Sequence, residues 1–321
     1  MSDPKRHHYL PETYLNGFGG NRGLLQCIEK PSGRTFSSPP NGTAVVGHMN
    51  TIQLPDGGRD QTTIESFFST FETSYQSALS KIRDCVAPPE AIDVFVNFAI
   101  LQRMRTPRAR AQLTQVVIAA DKSGLIEPQK LKFSEYEKLL LSNARAGKKG
   151  AINQLGMAIS GHLSIATGIQ LEKMHFLFLK NRTETPFVCS DNPVLISGVG
   201  TKPNGRTLKA VLPSFQARKV LIFPLSKKFL MYGDTDINNS LGITFVDNTK
   251  PVRRTLVKTI NRMTSIHADR FIIQPKGEID APRSSDVKQR FENPTFAKKL
   301  YFKTQSDLLV SAVRNLRSFA I

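Results

Sequence analysis

Apolar side chains at Ile64, Phe67, Phe68, Phe71, Tyr75, Ala78 and Ile82 recur at intervals of three and four, which predicts a helix over residues 61–83 with these rings in the core. Pro88-Pro89 punctuates the chain, and a second helix is expected from Glu90 to Arg105. A third follows Thr106-Pro107, with the threonine as cap and the proline at the first turn, where its missing N–H does no harm. The helical period continues through Glu135 to Ala146 and Ala151 to Ile165. Before these helices, the apolar run Leu24 to Ile28 reads as one strand after a Gly-Gly-Asn turn.

The second half changes period. His175 to Lys180, Phe187 to Ser190 and Val194 to Ser197 are strand-like, and Lys219 to Tyr232 reads as a hairpin turning at Pro224 to Lys228. Residues 198–213 read as an exposed loop, Thr249 to Ile266 and Gln305 to Phe319 as helices, and Phe271-Ile272-Ile273 as a strand. The pattern is α+β: a mostly helical first half, then a mixed or antiparallel sheet with flanking helices. One unit spanning 1–321 is expected, its helical part at about 60–170 and its basic sheet-containing part at about 171–321. No phosphate-binding glycine loop stands at a strand-to-helix junction.

Charge adds what the apolar pattern lacks. The net charge is +18, with 19 basic against 14 acidic residues in 1–160 and 25 against 12 in 161–321. Such a surplus attracts polyanions, so nucleic acid is the expected partner class, set against solubility alone. Cys27, Cys85 and Cys189 are odd in number and widely spaced, which fits reduced thiols in a cytoplasmic protein. No apolar run reaches the roughly 18 residues of a spanning helix.

Four groups of residues carry candidate chemistry. His7 and His8 stand side by side, and consecutive side chains diverge on a strand or helix, so one is expected to act and the other to pack. Both histidines packing is the plainer alternative. The apolar stripe Val94, Phe98, Leu101 leads to Arg105, with Gln102 alongside; a core-facing arginine needs an anionic partner, either a phosphate of a ligand or Glu65 or Glu72 of the preceding helix. Ser190-Asp191-Asn192-Pro193 is turn chemistry at the end of an apolar run, where Asp191 is placed to orient an imidazole. Lys250, Arg254, Lys258 and Arg262 recur every four residues as a slanted basic stripe that suits either solvent or a phosphate backbone. No third ligand near the histidines completes a familiar metal site.

Arg6-His7-His8-Tyr9-Leu10-Pro11, Tyr14-Leu15, Phe18, the segment Ser37 to Val46, Gln102 with Arg105-Thr106-Pro107, Ser190-Asp191-Asn192-Pro193 and Phe223-Pro224-Leu225-Ser226 occur in this order. In this combination the chain resembles the bacterial family known as domain of unknown function four-two-three-eight, over essentially its whole length. The resemblance implies that His7, His8, Gln102, Arg105, Asp191 and Asn192 belong to one signature; it implies no activity and no cofactor. Two readings follow. In one, the protein is a nucleic-acid phosphodiesterase, RNA favoured, of the toxin or phage-defence kind: a histidine is general acid or base, Asp191 orients it, and Arg105 with Gln102 clamps phosphate. In the other, it is a basic nucleic-acid-binding or regulatory protein, and Asp191, Arg105 and the histidines form a structural network. The first predicts convergence at an open cleft, the second burial.

Overall fold

The computed structural model describes residues 6–30, 32–54, 58–82, 87–122, 133–148, 150–199, 218–235 and 254–277. Lys250, Cys85, residues 200–213 of the expected loop, the first turn of the basic helix and the helix expected at 305–319 lie outside them.

Seven α-helices run through the described residues: α1 (Glu12–Leu15), α2 (Thr63–Ser80), α3 (Pro89–Arg105), α4 (Pro107–Lys122), α5 (Glu135–Arg145), α6 (Ala151–Leu171) and α7 (Arg254–His267). The boundaries follow local chemistry. Thr106 Oγ1 accepts from the Ala109 N–H at 3.3 Å, and Pro107 begins α4, as its sequence predicts. Ser134 caps α5 in a reciprocal box with Glu137.

Every strand pairing among the described residues is antiparallel, so the fold is α+β. One sheet joins β7 (His175–Lys180), β11 (Phe229–Asp234), β10 (Arg218–Pro224) and β9 (Leu195–Val199) in that spatial order. A second has the order β3 (Thr35–Ser38), β2 (Leu25–Glu29), β12 (Phe271–Pro275), β8 (Cys189–Ser190). Central β12 thus pairs with a strand from the beginning of the chain, so the first half is not only helical. Four short strands complete that half: β1 (Arg6–His8) pairs with β4 (Val45–Gly47), and β5 (Ile52–Gln53) with β6 (Arg59–Asp60).

The β7–β11–β10–β9 sheet is covered on both faces, which explains its unbroken apolar runs. Phe178, Leu221, Phe223 and Met231 enter the core shared with α2 and α3, whereas Leu179, Ile222 and Leu230 pack with Val257 and Ile260 of α7. Aromatic rings knit the first core together: Tyr14 stacks on Phe223 at 5.7 Å, and Tyr75 packs against Phe98 at 4.4 Å. Both tyrosine hydroxyls donate to the turn of the β10–β11 hairpin, Tyr14 to Pro224 O at 2.8 Å and Tyr75 to Leu225 O at 2.6 Å. Ser226 Oγ closes that turn by accepting from the N–H groups of Lys228 and Phe229. The Phe-Pro-Leu-Ser motif is therefore a dock for the N-terminal segment. Phe67 departs from the expected core assignment: it is 50% exposed, with its ring against Phe68 and Phe71.

Cys27 and Cys189 are buried free thiols, and burial raises both above the ordinary thiol range, Cys27 to about 11. No helix among the described residues is long and apolar enough to cross a membrane.

Candidate functional site

The strand pairing of β1 with β4 turns His7 inward and leaves His8 half-buried, so the two rings diverge as consecutive strand residues must. His8 Nε2 lies 3.1 Å from Asn41 O. His7 is fully buried, and its Nδ1 accepts the backbone N–H of Asn50 at 2.8 Å, which places the imidazole proton on Nε2.

Asn50 then extends the network. Its amide nitrogen donates to Glu65 of α2, and its carbonyl oxygen accepts from Arg110 Nη2 at 2.7 Å. Arg110 also donates through Nη1 to Met49 O at 2.8 Å, the same carbonyl that accepts from Asn153 Nδ2 at 2.8 Å. Burial pushes the Arg110 guanidinium down to about 9, Arg105 acts in the same direction, and Glu65 opposes both, so Arg110 stays a cation at neutral pH. Asn50, Arg110 and Asn153 are members that the sequence reading missed. Arg110 had a signal: it shares an inward stripe with Leu113, Thr114 and Val117, the same pattern that exposes Arg105. Asn50 lies in a turn, where no period marks it.

Arg105 meets Glu72, not Asp191. Its Nη1 pairs with that carboxylate, and its guanidinium stacks 4.2 Å from the centroid of Phe68. The reason is local: α2 packs along α3 and presents Glu72 to the end of α3, one of the two protein partners its sequence allowed. Gln102 is buried at 1% exposure but does not hold the guanidinium; its Oε1 has no hydrogen-bond partner among the described residues.

Asp191 builds a second network. Oδ1 accepts from the Asp269 N–H at 2.8 Å, and Oδ2 accepts from those of Arg270 at 2.7 Å and Phe271 at 3.0 Å. The carboxylate thus closes the turn from α7 into β12, and among the described residues no imidazole donates to it. Burial raises Asp191 to about 6 against the pull of these N–H groups. Asn192 Nδ2 donates to His267 O at 3.3 Å, and Lys30 Nζ donates to Ile266 O and Ala268 O at 3.1 and 2.6 Å. An ammonium at the C-terminal end of α7 suits both its orphan carbonyls and its dipole. Burial lowers Lys30 to about 8 and His267 to about 4. Arg108 pairs with Asp269 at 2.5 Å, tying the first turn of α4 to the same turn.

On α7, Arg254, Lys258 and Arg262 are exposed, and Val257, Ile260 and Thr264 face inward. The stripe is therefore a surface feature remote in chemistry from either buried network. Among the described residues, no group of three His, Cys, Asp or Glu side chains stands ready to hold a metal ion.

Comparison with curated proteins and with solved structures returns no match. The family model described as Protein of unknown function (DUF4238) matches residues 6–278, and the chain belongs to that family.

Proposed function

We propose that the protein is a basic nucleic-acid-binding or regulatory protein in which the His7, Arg105 and Asp191 signature holds the fold together. One observation carries this reading: these side chains are 0%, 3% and 5% exposed, and each is engaged by protein groups. A general base needs reach to a substrate proton, and an orienting carboxylate needs a hydrogen bond to the imidazole it orients. His7 Nδ1 is occupied by Asn50, and the Asp191 carboxylate accepts from the N–H groups of the turn at 269–271 rather than from His7 or His8. The phosphodiesterase reading retains one half-exposed member, His8. Polyanion contact falls instead to Arg254, Lys258 and Arg262, exposed on the half of the chain that carries most of the charge surplus.

Binding of labelled RNA, single-stranded DNA and duplex DNA, followed by fluorescence anisotropy across a salt series, tests this. Each phosphate contact contributes about 0.7 to 0.9 to the slope of log affinity against log salt. Replacing Arg254, Lys258 and Arg262 together with glutamine should lower the slope by about two to three. An unchanged slope, or no binding at low salt, overturns the proposal.

A further inference from the structure

A cavity of about 650 Å³ opens beside the Arg110 network, between the turn after β4 and the N-terminal turns of α4 and α6. Met49 and Asn153 belong to both, so the buried network forms the back of the cavity. Its size falls in the range of small-molecule sites.

Three features of the lining point to one kind of ligand. Val46 and Ile152 are exposed at 38% and 40%, and with Pro107 and Ala111 they offer an apolar wall. One buried polar side chain on the lining lacks a protein partner. Thr51 is 6% exposed and its Oγ1 makes no hydrogen bond among the described residues, which costs free energy unless something meets it. Gln154, 8% exposed, adds to the lining an amide that can both donate and accept. The third feature is positive potential. Arg59 is exposed on the lining without a carboxylate partner among the described residues, the His48 ring adds a hydrogen-bonding group beside it on the lining, and Gly150, the N-cap of α6, has no side chain to satisfy the first-turn N–H groups of Ile152 and Asn153. His48 is held at φ +53°, a left-handed conformation that a histidine adopts at a cost.

We infer that the cavity binds a nucleoside monophosphate unit. A flat base fits the apolar wall, the Gln154 amide both donates and accepts as a base edge requires, and the phosphate meets Arg59, His48 and the start of α6. The occupant is a free mononucleotide, and one nucleotide of a strand is the alternative that the oligonucleotide arm of the test separates from it. The inference stands apart from the basic stripe of α7 and does not depend on it.

Isothermal titration of the full chain with the four ribonucleoside 5′-monophosphates tests this, with inorganic phosphate, the parent nucleosides and a short oligonucleotide as further arms. At least one mononucleotide should bind saturably, and its affinity should fall about tenfold or more in Gln154→Leu and in Arg59→Gln. Ile152→Trp, a change at an exposed position that fills the mouth, should abolish binding with the melting midpoint retained. Neutralising Arg254, Lys258 and Arg262 should leave mononucleotide affinity unchanged, which separates this site from the α7 surface. Binding of no mononucleotide, binding of the oligonucleotide alone, equal binding of inorganic phosphate, or full affinity in the Gln154, Arg59 and Ile152 variants overturns the inference.

Discussion

Arg110 shows how a single side chain organises this protein. Its guanidinium satisfies Met49 O and Asn50 Oδ1, and Asn50 in turn serves His7 and Glu65. Arg110→Met strands these buried groups, so a loss of about 3–5 kcal/mol of stability is expected by chemical denaturation. Arg110→Lys should recover only part of it, because an ammonium donates from one nitrogen, whereas Nη1 and Nη2 reach Met49 O and Asn50 Oδ1 from two fixed positions. A second residue-scale prediction concerns pH. His267 has its folded pKa lowered from 6.5 to about 4, so its contribution is fully present above pH 6.5 and is lost as pH falls toward 4, about 3 kcal/mol in all. Asp191 has the opposite sign: raised from 3.8 to about 6, it favours the folded state at low pH, and that contribution is lost as pH rises through 6. Stability measured from pH 4 to 6.5 should therefore rise with pH in Asp191→Asn and fall with pH in His267→Gln. Equal slopes in the two variants would refute this assignment.

At the scale of elements, the α4–α6 contact is set by a glycine. A Cβ at position 156 would lie 2.6 Å from Arg110 O, so α6 passes closer to the α4 backbone than any side chain permits. Gly156→Ala should cost about 1–3 kcal/mol by forcing the helices apart, read as a lowered melting midpoint. The long helices were legible in the sequence because an amphipathic period repeats over several turns; α2, α3 and α5 begin and end within a few residues of their expected bounds. Strands β1, β4, β5 and β6 were not, since two or three residues carry no period and are fixed only by what they pair with. The same distinction governs the site. Arg105 was legible from its helical stripe, and its partner Glu72 was one of the two carboxylates the preceding helix offered. Asp191 was legible only as turn chemistry, because its three N–H donors lie about 80 residues away in sequence.

For the whole molecule, His7 and Asp191 stand in two buried networks bridged by the N-terminal segment, while Arg105 pairs with Glu72. His7 enters the Arg110 network, and two residues later Tyr9 is buried near Asp191, whose charge adds to burial in raising its hydroxyl far above the ordinary tyrosine range. In the proposed reading the family signature serves the fold: it joins the N-terminal segment, α2 to α4, and the α7–β12 turn. The charge surplus lies elsewhere, on surfaces such as α7. The most direct measurement is incubation of the purified protein with end-labelled RNA, single-stranded DNA and duplex DNA, with and without EDTA, read on a denaturing gel beside a native one. The account predicts strands that are retarded on the native gel and intact on the denaturing gel. Strand cleavage by the wild type that disappears in His7→Ala, His8→Ala or Arg105→Ala variants that still fold would contradict it.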